Sequence, residues 1–415
     1  METKKIGLIS ATIICINAMI GVGIFTTPAK LAFTVGPAGI LTYLFSIVAV
    51  TFIALSLALV SKTYPEEGSF YNYTRQWAGD FMGFVAAISY IIGIIIALGL
   101  LTNIASQYFH QFMPFISKEN FGLLIIFTIS GLNALGIKIM QTGQIMLLFC
   151  TLGALAIIIG LCFANAKTQN LVPFMPYGIS SVIESMSAAV FSFLGFESAA
   201  SLYRVVKDPE KNVSRAIILS MITVGILYIA FIFSIILAIP QSTFTSIDMP
   251  LSQAILNSLG NSSIVVFLTK LISIAILTAI CGVLQSIMYS SSSLTMSLFK
   301  NLFNNLIAKN SNQSSIKFKL LDFISNSQYG FSVIIMITSL ITLFNFFILK
   351  DINLFFNLTS MFVIFAFLMS ILAMHFKFKK QNYKVNIKEK IIVYCGLISS
   401  FLIFVNAVFQ VFKSI

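Results

Sequence analysis

The chain has 415 residues, of which 58% are apolar and only 9% are charged, and its mean hydropathy is +0.98. A globular protein in water needs a far more polar surface, so this composition excludes a soluble fold and favours a chain that lies in a membrane. The formal net charge of +12 does not indicate a nucleic-acid partner, because the basic residues cluster in alternate loops, which is a signal of membrane topology.

Long apolar runs follow one another along the chain, and each approaches the roughly 20 residues that an α-helix needs to cross a bilayer. Strands of a membrane barrel would alternate apolar and polar residues, whereas these runs are apolar on every face. We therefore predict an all-α membrane protein with about eleven transmembrane helices. The predicted spans are residues 7–34, 39–61, 82–109, 121–137, 142–163, 183–203, 214–239, 264–299, 330–349, 353–375 and 391–412.

The loops between these spans are short, so residues 1–412 are predicted to form a single transmembrane domain. Most of the 25 lysine and arginine residues fall in the segments that share a side with the N-terminus. Positively charged loops face the cytoplasm, which predicts a cytoplasmic N-terminus and a periplasmic C-terminus in a bacterial inner (plasma) membrane.

The first span contains Gly-Val-Gly-Ile-Phe at residues 21–25. Two glycines this close weaken a helix by roughly 1 kcal/mol each relative to alanine. The sixth span carries Phe-Ser-Phe-Leu-Gly-Phe-Glu-Ser at residues 191–198, in which Glu197 stands deep in an apolar run. A charge there costs several kcal/mol unless it faces a cavity or a partner. We predict that both helices are interrupted midway.

Interrupted helices at corresponding places predict an inverted repeat of five helices plus five, with repeat one at 7–163, repeat two at 183–375 and an additional helix at 391–412. A binding site would lie between the interruptions, where free N–H groups suit a carboxylate and free carbonyl groups suit an ammonium. Two other interpretations stay open. Gly-x-Gly also serves close helix packing, and a buried glutamate also serves a structural hydrogen bond.

These motifs resemble those of the amino acid-polyamine-organocation (APC) transporters. Residues 21–25 followed by Pro28 are similar to the signature of that superfamily's first helix. Residues 193–199 and the following loop at 208–213 are similar to its sixth-helix signature, most of all in the arginine/agmatine and putrescine/ornithine antiporters. The resemblance implies the five-plus-five fold of the leucine-transporter type.

The resemblance also implies a set of substrate-binding residues. They are Met19, Val22, Gly23, Ile24, Tyr90, Phe191, Leu194, Gly195, Glu197 and Met288. Backbone N–H groups of Val22 and Gly23 would bind a carboxylate, and backbone carbonyl groups of Met19, Phe191 and Leu194 would bind an α-amino group.

By the same resemblance Phe191 is the gate and Glu197 handles protons or a cationic substrate. Phe191 stands where the antiporters have tryptophan, and Met288 stands where they have a second one, which weakens the case for a cationic substrate. Ser290 and Ser291 are candidate ligands of a sodium ion, although close helix packing is the more common reason for such serines. No other metal and no cofactor is expected.

We predict a secondary active transporter that moves amino acids, with basic amino acids or polyamines as candidates, by alternating access and exchange. An enzyme is not expected, because no span combines a nucleophile with a base. The alternative is a channel or a substrate sensor on the same scaffold. The expected partners are the substrate and the lipid bilayer, with a homodimer as a candidate assembly and no nucleic acid.

Overall fold

The computed structural model describes residues 5–66, 68–246, 249, 251–260, 262–309, 329–348, 352–379 and 386–414. Within these ranges the regular structure is helical apart from one isolated bridge between Ile6 and Val206. The α-helices are α1 Leu8–Met19, α2 Val22–Thr34, α3 Gly39–Thr63, α4 Ser69–Phe112, α5 Lys118–Ala134, α6 Ile137–Ala164, α7 Gly178–Glu184, α8 Met186–Phe191, α9 Ser198–Ser201, α10 Pro209–Ala238, α11 Leu251–Leu259, α12 Ser263–Lys309, α13 Gly330–Ile348, α14 Ile352–Phe378 and α15 Ile387–Ser414. Short 3-10 helices lie at Gly36–Ala38, Thr168–Leu171, Tyr203–Val205 and Gln241–Thr243.

Nine helical stretches in the described part of the chain are long and apolar enough to cross a membrane. The fourth predicted span corresponds to α5, which has 17 residues and is therefore close to the lower limit of length for a span. The sixth predicted span is divided among α7, α8 and α9. The chain is a multi-pass helical membrane protein, and the count of eleven helices and the inverted repeat stay predictions.

Two spans are longer than their apolar runs. The third begins at Ser69 rather than near residue 82, and its backbone turns at Gly79, where φ is 82°. The eighth spans 47 residues, from Ser263 to Lys309. Polar residues at a helix end do not stop the helix, so hydropathy alone underestimates such lengths.

The divided helices lie in the middle of the bundle. α1 packs against α6, α10 and α12, while α8 packs against α3 and α14. Around them, α4 packs along α14, α3 along α10 and α15, and α6 along α12. The interruptions are thus enclosed by long continuous helices.

A buried cluster of amide and hydroxyl groups fixes α1 to α6 and α12. The side-chain amide of Asn17 donates to the backbone oxygen of Gln144 at 2.7 Å. The Gln144 side chain donates to the carbonyl of Gly282 at 3.1 Å and accepts from the Ser286 hydroxyl at 2.7 Å. The last turn before the first interruption is therefore attached to α6, and Gln144 in turn attaches α6 to α12.

The segment before α1 is also attached to the segment after α9. The Ile6 amide donates to the Val205 carbonyl at 2.8 Å, and the Lys207 amide donates to the Ile6 carbonyl at 2.8 Å. Both divided helices are therefore joined by backbone hydrogen bonds at the end of the bundle that holds the N-terminus.

Candidate functional site

The first interruption separates α1 from α2 by two residues. Ile20 has φ −76° and ψ 84°, and Gly21 has φ −124° and ψ −152°, so the backbone is extended here. The first turn of any helix leaves its N–H groups without partners inside that helix. The N–H groups of Val22, Gly23 and Ile24, which begin α2, are therefore available at the interruption, and the helix dipole adds partial positive charge.

The second interruption runs through residues 192–197, between α8 and α9. Gly195 has φ +121°, a conformation that is essentially restricted to glycine. A Cβ atom at this position would lie 2.5 Å from both the carbonyl carbon and the carbonyl oxygen of Ala18. Gly195 thus lets the second interruption touch the last turn of α1.

Tyr228 of α10 links the two interruptions. Its hydroxyl oxygen lies 2.7 Å from the carbonyl oxygen of Met19 and 3.0 Å from that of Ser192. The side chain is fully buried, and one hydroxyl proton is shared between the two acceptors. Sequence reasoning missed this residue, although a tyrosine in the middle of an apolar span is a signal that could have found it.

The carboxylate of Glu197 is engaged by two donors. Its Oε1 accepts from the Tyr90 hydroxyl at 3.0 Å, and its Oε2 accepts from the Gly195 amide at 2.9 Å. Glu197 is only 1% exposed, and hydrogen bonds to both oxygens offset the cost of burying a charged group. The side chain therefore stabilises the second interruption and attaches it to α4.

A cavity of about 30 Å³ lies where the interruptions meet. It is lined by Ala18, Met19, Gly21, Gly23, Ile94, Ala97, Leu101, Phe191, Ser192, Leu194, Gly195, Val283, Ile287 and Thr359. A space of this size has room for no more than a few water molecules. An amino acid is larger, so binding one requires the surrounding helices to move apart.

Half of the predicted site residues line this cavity. They are Met19, Gly23, Phe191, Leu194 and Gly195. Tyr90 and Glu197 lie behind Gly195 rather than in the lining. Val22 contributes its backbone at the start of α2, while its side chain lies outside the described part of the structure.

Ile24 and Met288 are buried outside the cavity lining. The sulfur of Met288 lies 3.6 Å from the Ser130 hydroxyl and 4.0 Å from the Ser339 hydroxyl. Met288 therefore faces α5 and α13 rather than the cavity. The preceding residue, Ile287, is the one that lines the cavity.

The hydroxyls of Ser290 and Ser291 donate to carbonyl groups one turn earlier in their own helix. The acceptors are the carbonyls of Ile287, at 3.1 Å, and Met288, at 3.2 Å. This is the arrangement that close helix packing predicts.

Phe191 ends α8 and stands against Phe356 of α14. Their ring centroids are 4.3 Å apart and the rings are nearly perpendicular, at 88°. Edge-to-face pairs of this kind are favourable, so the two rings form a closed contact beside the cavity.

We expect Glu197→Gln to lower the unfolding temperature by about 2–5 °C, because a buried hydrogen bond to a charged acceptor is replaced. The glutamine amide nitrogen cannot accept from the Gly195 amide, whereas its oxygen can still accept from Tyr90. Tyr90→Phe removes the other contact and is the matched variant. Thermal unfolding of the detergent-solubilised protein measures both. An unchanged unfolding temperature in both variants would show that the carboxylate does not stabilise the interruption.

Comparison with known proteins gives one family and several relatives. The model of the family described as amino acid permease matches residues 6–414. The branched-chain amino acid permease BcaP of Bacillus subtilis (strain 168) is 27% identical over 62% of this chain, and the methylthioribose transporter of the same organism is 26% identical over 74%. The gamma-aminobutyric acid permease of Escherichia coli (strain K12) is 28% identical over 55%. The alignments span 60%, 69% and 52% of the relatives' own lengths.

Proposed function

Since this chain belongs to the amino acid permease family, whose members are transporters rather than enzymes, we propose that it carries α-amino acids across the membrane. The proposed binding site is the junction of the two interruptions. One observation carries the proposal: a helix N-terminus, the end of a second helix and a cavity converge there.

The peptide groups at this junction suit a zwitterion. The N–H groups at the start of α2 would hold a carboxylate, which the positive end of the helix dipole favours. Carbonyl groups at and after the end of α8, those of Phe191 and Leu194, would accept from an ammonium group, since both residues line the cavity. A carbonyl oxygen has two lone pairs, so one that already accepts within the protein can still accept from a substrate.

Tyr228 changes the predicted role of Met19. Because the Met19 carbonyl already accepts from the Tyr228 hydroxyl and from the Gly21 amide at 2.9 Å, it is the weakest of the three proposed acceptors. Its main contribution in this proposal is to fix the end of α1 beside the substrate.

Transport would proceed by alternating access, with the divided helices rocking against α4, α5, α12 and α13. Two sets of contacts would open in turn. Phe191 and Phe356 would separate on one side of the cavity. On the other side the Tyr203 hydroxyl donates to the Pro65 carbonyl at 2.6 Å, and the Ser69 hydroxyl donates to the Ala200 carbonyl at 2.5 Å.

With the N-terminus in the cytoplasm, as the lysine and arginine distribution predicts, Phe191 would close the outer path. The Tyr203 and Ser69 contacts would close the inner one. The inner membrane, a homodimer and exchange without a dedicated coupling ion remain parts of this proposal.

Basic amino acids and polyamines are the less favoured substrates. The resemblance that suggested them depended on Glu197, and both oxygens of that carboxylate accept hydrogen bonds from the protein itself. Glu197 also does not line the cavity but lies behind Gly195, so a cationic side chain in the cavity could not reach it without moving Gly195.

Counterflow in proteoliposomes tests the proposed function. We expect vesicles loaded with an unlabelled amino acid to accumulate the same labelled amino acid transiently. A carrier that has released an unlabelled molecule outside returns inward with a labelled molecule bound. Vesicles without protein give the background. Flux without stimulation by internal substrate would indicate a channel. A ligand-dependent rise in unfolding temperature without any flux would indicate a sensor.

A further inference from the structure

The cavity walls beside the two interruptions are aliphatic. Ile94, Ala97 and Leu101 stand on one face of α4, three and four residues apart, and Val283 and Ile287 stand one turn apart on α12. Side chains at these spacings share one face of a helix, so two helices present aliphatic surface to the same space.

Charge is lacking in this lining. Among the described residues that border the cavity, only Ser192 and Thr359 have polar side chains, and neither ionises. The nearest carboxylate, that of Glu197, is held by Tyr90 and Gly195. An ammonium, guanidinium or carboxylate group on a substrate side chain would therefore be buried without a counter-charge, which is strongly unfavourable.

The two polar side chains of the lining differ in their contacts. The Ser192 hydroxyl lies 3.3 Å from that of Thr27 and 3.4 Å from that of Tyr43. The hydroxyl oxygen of Thr359 has no hydrogen-bond partner among the described residues, although the side chain is only 1% exposed. A buried hydroxyl without a partner is costly, so it favours a ligand that supplies one.

We propose that this site selects neutral α-amino acids with aliphatic side chains, and that the Thr359 hydroxyl forms a hydrogen bond with the substrate. The inference rests on the proposed function, because it names the class of amino acid that the junction takes. The walls on α4 and α12 set the side-chain class, while the interruptions bind the groups that all α-amino acids share.

Competition in the counterflow assay tests the substrate class, with labelled leucine as the probe. We expect unlabelled valine, isoleucine and leucine to compete at concentrations at least about 100-fold below those needed for arginine, putrescine or glutamate. Arginine or putrescine competing as well as leucine would overturn this inference and leave the proposed function intact. No flux of any amino acid through monodisperse, cooperatively unfolding protein would overturn the proposed function itself.

Variants of the α12 wall test which side chains select the substrate. Val283→Ala and Ile287→Ala enlarge the space, so we expect each to shift the preference from valine towards phenylalanine by about 10-fold. Ile274→Ala is the matched control, since Ile274 lies on the same helix and is 51% exposed on its outer face. An unchanged preference in both cavity variants would overturn the assignment of the wall.

Substitutions at Thr359 separate the effect of its hydroxyl group on substrate affinity from the effect of its side-chain volume. Thr359→Val keeps the shape and removes the donor, so we expect about 5-fold to 10-fold weaker competition by every aliphatic substrate, with their order unchanged. Thr359→Ser should restore most of the affinity. Equal affinities in the valine variant and the unmodified protein would overturn the role of the hydroxyl.

Discussion

Gly195→Ala is expected to reduce amino acid exchange by about 100-fold or more. The substitution forces a residue with a Cβ atom to adopt a φ of +121°, and it places that atom 2.5 Å from the backbone of Ala18. Backbone atoms cannot rotate away as a side chain can, so the two interruptions must separate. Counterflow of labelled leucine measures the loss of exchange, and thermal unfolding measures the accompanying loss of stability.

Gly153→Ala is the control for this experiment. Gly153 lies within α6, and a Cβ atom there meets nothing within 4 Å among the described residues. Alanine favours a helix by roughly 1 kcal/mol over glycine, so exchange should be unchanged. If Gly195→Ala exchanged leucine at the rate of this control, contact between the interruptions would not be needed for transport.

Tyr228→Phe is expected to slow exchange by about 10-fold to 100-fold. The change removes a single oxygen atom, yet that oxygen serves the carbonyls of both Met19 and Ser192. The Met19 carbonyl keeps the Gly21 amide as a donor. The Ser192 carbonyl loses the Tyr228 hydroxyl, and a buried carbonyl that loses a donor costs about 1–3 kcal/mol. The initial rate of leucine counterflow at saturating and at low concentration separates an effect on turnover from one on affinity.

Tyr43→Phe is the matched control, because Tyr43 packs edge-on against Tyr228 with ring centroids 6.3 Å apart. Its hydroxyl makes a long contact of 3.4 Å with the Ser192 hydroxyl and also approaches the Thr27 hydroxyl. We expect less than a threefold change, because so long a contact contributes little. Both variants keep the aromatic ring, so equal losses would assign the effect to the hydroxyl groups around Ser192 in general instead of the bridge between the interruptions.

The sequence predicted the positions of both interruptions well, because a glycine weakens a helix at the place in the sequence where it occurs. The break at Ile20 and Gly21 coincides with the start of the Gly-x-Gly motif, and Gly195 lies in the second break. The other interpretation of Gly-x-Gly, that it serves close helix packing, also holds for one of its glycines. Gly23 lies inside α2, and a Cβ atom there would be 2.7 Å from the Ser192 hydroxyl, so this position serves close packing.

The walls of the cavity could not be predicted in the same way. A membrane helix is apolar on every side, so its sequence pattern does not reveal which face points inward. The resemblance put Met288 in the substrate site, whereas Ile287 and Val283 line the cavity. Adjacent residues are separated by about 100° around a helix axis. A difference of one residue therefore exchanges a cavity wall for a contact with Ser130 and Ser339.

Contacts between distant segments were also hidden from sequence reasoning. Glu197 was recognised as unusual because a carboxylate stands out in an apolar run, but its contact with the Tyr90 hydroxyl, 107 residues away in the sequence, is set by the fold. Thr359 gives no local signal at all. The proposal for this residue rests on a hydroxyl that has no hydrogen-bond partner in the described part of the chain and stands at a cavity, an arrangement that only the assembled bundle creates.

The cluster that joins Asn17 to Gln144, Gly282 and Ser286 consists of amide, carbonyl and hydroxyl groups. Membrane voltage acts on net charge, at about 2.3 kcal/mol per elementary charge for each 100 mV. Movement of Asn17 away from Gln144 shifts no net charge within this cluster. The electrical potential across the membrane therefore does almost no work on this attachment, which leaves its strength to hydrogen-bond geometry.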